Sequence, residues 1–140
     1  MSTVLWANLL VNGQVASDEL DKFALYKHAD KLDALGQKLG LGSFLDICDT
    51  TDLRFNADGF ELPEGVGSTN EIMATQGAWL EIASAIKLLE GLLTHLHQNK
   101  VRFGLLKNDY ERVLSELSEA LAYVQTAERS DAKFNFGIVT

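Results

Sequence analysis

Apolar positions along this chain recur with two different periods, and the changes between them mark the predicted elements. Residues 4–11 are rich in Val, Leu and Trp, and Asn12-Gly13 then supplies a two-residue hairpin signal ahead of Gln14-Val15-Ala16. The expectation is a short β-hairpin. Ser17 reads as a helix cap, with Asp18 and Glu19 at the positive end of the dipole and Gly40 at the exit, which predicts a first helix over about residues 18–39. Its apolar stripe is Leu20, Ala24, Leu32, Leu35 and Leu39. A short amphipathic piece follows through Leu41, Phe44, Leu45 and Cys48. The chain then turns irregular as far as Gly67, with Asn56-Ala57-Asp58-Gly59 and Pro63-Glu64-Gly65 as turn chemistry.

Beyond that loop the helical period returns. Ser68-Thr69-Asn70-Glu71 fits a capping box, and Trp79, Ile82, Ile86, Leu89, Leu93 and Leu96 follow in steps of three and four. This is the second helix, whose start moves to about Thr75 if Gly77 weakens the first turns. A further box at Asn108-Asp109-Tyr110-Glu111 opens a third helix that turns Tyr110, Val113, Leu114, Leu117, Leu121 and Val124 inward and ends near Arg129. The period then drops to two: Phe134, Phe136 and Ile138 alternate with Asn135, Gly137 and Val139, as in a strand with one buried face. Residues 101–106 read as the link between helices two and three rather than as another strand.

A hairpin alone is marginal and the helix stripes must face something, so the elements are expected to combine. The predicted fold class is α+β, predominantly helical, with three main amphipathic helices packed on a small sheet made by the N-terminal hairpin and the C-terminal strand. At 140 residues the chain matches one domain, and residues 1–140 are expected to form a single compact unit. Trp6 and Trp79 read as core, and Tyr26 as projecting to the polar side of the first helix.

Charge changes this picture locally. Lys and Arg total 12 against 20 Asp and Glu, a formal net charge of -8, which opposes phosphate backbones and anionic lipid surfaces. The expectation is no nucleic acid and no membrane. Between Leu41 and Glu71 there are seven acids and one base, Arg54, so that stretch carries -6 of the -8. A calcium loop fails there. With its glycine at Gly59, the first ligand position would be Arg54 and the last would be Gly65.

Catalytic and metal signatures are sparse. His95 and His97 are two apart on a predicted helix, where their side chains diverge, and Cys48 and His28 supply no close-spaced ligand pair, so neither metal nor cofactor is expected. The lone Cys48 excludes an internal disulfide and favours a reducing, cytoplasmic setting. His28 falls near the centre of an apolar stripe, which reads as a core histidine or, alternatively, as a pocket acid–base group beside Cys48.

Two functional expectations follow from these readings. The first is a non-enzymatic protein-binding module whose Asp46, Asp49, Asp52, Asp58, Glu61 and Glu64 meet a basic partner. The alternative is a small-ligand binder or enzyme with a pocket near His28 and Cys48. Leu80, Leu88 and Leu92 also widen the stripe of the second helix enough to predict a homodimer face.

Overall fold

The computed structural model describes residues 2–56, 59, 61–128 and 130–140. Its centre is β5 (Lys133–Val139), which pairs antiparallel with β1 (Val4–Val11) from Val4 to Leu10. β1 turns through Asn12-Gly13, both at positive φ, into β2 (Gln14–Lys22). Two short strands extend the other side of β5: β3 (Cys48–Asp49) runs parallel to it at Phe136-Gly137, and β4 (Leu80–Glu81) antiparallel at Lys133-Phe134. The predicted association of hairpin and C-terminal strand is present, within a larger mixed sheet of five strands.

Pairing assigns the two faces of that sheet. Leu5 opposes Ile138, Ala7 opposes Phe136 and Leu9 opposes Phe134, so one face is apolar. This face joins a continuous core with α1 (Phe23–Lys27), α2 (Ala29–Lys38), α5 (Ile82–Asn99) and α6 (Tyr110–Gln125). The other face carries Trp6, Asn8, Asn135 and Gly137. α3 (Thr51–Asn56) and α4 (Thr69–Gln76) lie against β5 and β2 respectively. Helices therefore number six among the described residues, rather than three main ones.

The helix predicted over 18–39 is the largest departure. Residues 18–22 belong to β2, Ser17 faces Asn8 across the ladder, and the helix starts only at Phe23. The open edge of β1 needs partners for its N–H and C=O groups, and that requirement outweighs the helix-start chemistry of Ser17-Asp18-Glu19. The acids are used sideways instead: Trp6 Nε1 donates to Asp21 at 2.8 Å, and the fully buried Lys22 pairs with Asp18 at 3.5 Å. Leu20, read as part of the stripe, is exposed. A second break falls at His28, between α1 and α2. α2 ends in a Schellman closure, with Leu41 N donating to Gly36 O at 2.8 Å, Gly40 N donating to Gln37 O, and Gly40 at φ +71.

The second predicted helix is also two. α4 stops at Gln76, the chain runs extended through Gly77, and α5 begins at Ile82. The interruption is held from outside, because Asp49 Oδ2 accepts Ala78 N at 2.9 Å and Asn135 Nδ2 donates to Ala78 O at 2.9 Å. Gly77 is needed here: a Cβ would stand 2.8 Å from the Asp49 carboxylate as well as against the Met73 carbonyl. The Ser68 side chain makes no cap bond, while Glu71 reaches back to Gly67 N at 2.9 Å.

α6 follows the predicted stripe, with Tyr110, Val113, Leu114, Leu117 and Val124 buried. It ends at Gln125, short of Arg129, which lies outside the described residues. Its Glu116 caps a neighbour, accepting Leu25 N in the first turn of α1 at 3.0 Å. Of the leucines expected to widen the helix face, Leu88 and Leu92 are fully buried and Leu80 half-buried, because α5 is flanked by α6 and α2 within the same chain. Trp6 and Trp79 are half-buried rather than core.

Candidate functional site

The acidic stretch starts at a single 3-10 turn, Leu45–Ile47, runs through β3 and α3, and crosses a loop to α4. Its six predicted site residues divide by what they touch. Asp49 is buried and works inside the fold: Oδ1 accepts Thr51 N at 2.9 Å, as in an Asx turn that starts α3, and Oδ2 accepts Ala78 N. Asp52 is half-buried and accepts the Thr69 hydroxyl, joining α3 to the start of α4. Asp46, Glu61 and Glu64 are exposed, and none has an ion-pair partner among the described residues. Asp58 lies outside the described residues. The six are thus two carboxylates that hold the segment, three that face water, and one undescribed.

Asp49 also closes a polar chain that the sequence did not reveal. Ser17 Oγ donates to Asn8 Oδ1 at 2.6 Å, Asn8 Nδ2 donates to Asn135 Oδ1 at 3.0 Å, and Asn135 Nδ2 continues to Ala78 O. Asn8 Nδ2 also meets Met73 Sδ at 3.6 Å. These groups cross β2, β1 and β5 beneath α4, and every buried side-chain polar atom among the described residues has a partner. Their spacing carried a signal: Asn8 and Asn135 interrupt otherwise apolar strand stretches at positions the ladder sets opposite. A chain of satisfied amides positions backbone and leaves no group free for a ligand.

His28 and Cys48 occupy separate surroundings. His28 Nε2 lies 2.8 Å from Asp109 Oδ2, and its ring meets Phe103 edge-on at 5.3 Å between centroids. Lys27 Nζ reaches the same carboxylate oxygen at 3.3 Å. The hydrogen bond from His28, aided by Lys27 against partial desolvation, holds the Asp109 carboxyl below the usual carboxylate range. Cys48 Sγ points to Phe44 O at 3.4 Å, and burial, with the charge of Asp33, pushes its thiol up to about 12. A thiol so shifted holds almost no thiolate near neutral pH, so it is a poor nucleophile.

Neither residue lines the principal concavities. One is an open groove of about 450 Å³ between the end of α2 and α5, lined by Leu41, Lys87, Gly91 and His95 among others. His95 and His97 leave α5 differently: His95 borders this groove and bonds Asn99, while His97 is exposed. No cluster of three or more His, Cys, Asp or Glu suited to a metal ion occurs among the described residues. In the same residues no helix is long and apolar enough to cross a membrane. No protein-family model matches the chain, and neither the curated proteins nor the solved structures contain a match to it.

Proposed function

We propose that this chain is a non-enzymatic protein-binding module and that its acidic stretch receives a basic partner. The observation that carries this reading is the exposure of Asp46, Glu61 and Glu64 without a neutralising cation among the described residues. Carboxylates left unpaired on one segment keep their field for an incoming charge, and such a field raises association rates and sets orientation. Asp49 and Asp52 support the same reading indirectly, since their internal bonds tie the segment to Ala78 and Thr69. The alternative of a pocket at His28 and Cys48 has no observation in its favour.

A labelled oligo-lysine peptide tests the proposal by fluorescence anisotropy. Asp46→Asn, Glu61→Gln and Glu64→Gln together are expected to weaken binding about tenfold at low salt, from exposed ion pairs worth about 0.2–1 kcal/mol each. The salt dependence should flatten with them. A control that removes the same charge elsewhere, at Asp30, Glu90 and Glu128, is expected to change affinity much less. Equal losses from both triple variants would reduce the effect to net charge and end the proposal.

A further inference from the structure

The most exposed apolar side chains lie far from the acidic stretch. Leu105 is 94% and Leu106 103% exposed, as open as side chains in an extended peptide. They stand at the tip of the link between α5 and α6, and that tip is held in shape. Arg102 Nε donates to Gly104 O and its terminal nitrogen to Leu105 O, both at 2.7 Å. Phe103, fully buried, anchors the base: its N–H donates to Asn108 Oδ1 at 2.9 Å, and its carbonyl accepts Asp109 N at 2.7 Å. Lys31 Nζ adds a bond to Arg102 O and lies over the Phe103 ring. Gly104, at φ +109, allows the turn. Two leucines are therefore presented to water by a fixed loop, when a slight refolding of a loose one would have hidden them.

The stretch that carries them is basic within an acidic molecule. Residues 91–108 contain Lys100, Arg102 and Lys107 and no acid at all. The next acid, Asp109, is buried and paired with His28 and Lys27. The acidic stretch is anchored at Ala78, before the start of α5, and the tip follows the end of that helix. Its 18 residues span about 27 Å, more than three Debye lengths of about 8 Å at physiological salt. The Asp49 anchor of the acidic stretch is therefore screened from the tip.

Size decides what fits. A stable protein interface takes about 800 Å² from each partner around an apolar centre. Here two leucines stand alone among exposed Asn99, Lys100, Arg102, Lys107 and Asn108. A bilayer interface accepts a convex apolar tip without a matching pocket, and cations beside it meet anionic headgroups. We propose that the Leu105-Leu106 tip, with Lys100, Arg102 and Lys107 around it, attaches the protein reversibly to an anionic lipid surface. The net charge, which by itself predicts no membrane contact, is an average over two stretches of opposite sign.

Flotation with vesicles of phosphatidylcholine containing phosphatidylglycerol, compared with phosphatidylcholine alone, tests this on the full chain. The wild type is expected to float with the anionic vesicles and to be released by salt. Leu105→Ser with Leu106→Ser should lower the partition coefficient at least about tenfold while leaving the circular dichroism and urea midpoint unchanged, because both side chains are already in water. Lys100→Gln with Lys107→Gln should remove most of the salt dependence. Failure of the wild type to float, flotation of the leucine variant at the wild-type level, or equal binding to both vesicle types would overturn the proposal. So would a dimer in sedimentation velocity that the leucine variant dissolves, since a second copy would then occupy the tip. Oligo-lysine binding is independent of these leucines, so the two proposals fail separately.

Discussion

Asp109 precedes the first turn of α6, yet its side chain makes no cap bond and turns to His28 and Lys27 instead. It thereby ties the α1–α2 break to the base of the 101–108 loop, and it does so as a charge. Because its pKa is lowered in the folded state, the stabilisation is complete above the ordinary carboxylate range, about pH 4, and is lost as pH falls from there through the lower folded value. Asp109→Asn should therefore be less stable than the wild type at neutral pH and should show a shallower loss on acidification below about pH 4. Urea midpoints at a series of pH values measure this. Parallel acid limbs would mean that the pair contributes nothing. His28 itself was visible in the sequence as a polar group on an apolar stripe, but its partner, 81 positions away, was not, since pairings across such a separation leave no local pattern.

Among the elements, periodicity identified the inward faces of α5 and α6 and the strands β1 and β5, and misjudged the second half of β2 and the break between α4 and α5. The inward stripe of α6 and most of that of α5 were read correctly, because an amphipathic helix packed on helices needs the 3.6-residue repeat and nothing else. The second half of β2, residues 18–22, reads as helix because its sequence is polar and its strand lies at an edge, where one side of the ladder and much of the side-chain surface face water. α2 shows a tighter constraint. Gly36 lies in its last turns, where a Cβ would stand 2.8 Å from the Gly42 carbonyl and 3.3 Å from Leu88. Alanine normally strengthens a helix by about 1 kcal/mol over glycine. Overpacking of about 1–3 kcal/mol opposes that gain here, so Gly36→Ala is expected to destabilise by up to about 2 kcal/mol in urea denaturation. Stabilisation would show that the Gly42 turn moves freely away from α2.

Across the whole molecule, α5 separates the Asp49 anchor of the acidic stretch from the cations around Leu105 and Leu106. Sites with no shared partner behave additively. Combining the Asp46, Glu61 and Glu64 substitutions with those at Leu105 and Leu106 is expected to reduce peptide binding and vesicle binding each by the same factor as the corresponding variant alone. A loss in one assay caused by substitutions at the other site would show that the sites are coupled. The concentration of acid between Leu41 and Glu71 could be counted from the sequence, and so could the acid-free stretch 91–108. Their placement in space required the tertiary structure. The sequence by itself determined which segments have an apolar face, where the glycines turn the chain and how the charge is distributed along it, because these depend on neighbours a few residues apart. Only the tertiary structure decided that Asp49 and Asp52 are structural while Asp46, Glu61 and Glu64 face water, and that Leu88 and Leu92 are core while Leu105 and Leu106 are bare. Burial and pairing depend on which distant groups arrive beside a residue, and the residue type alone does not carry that information.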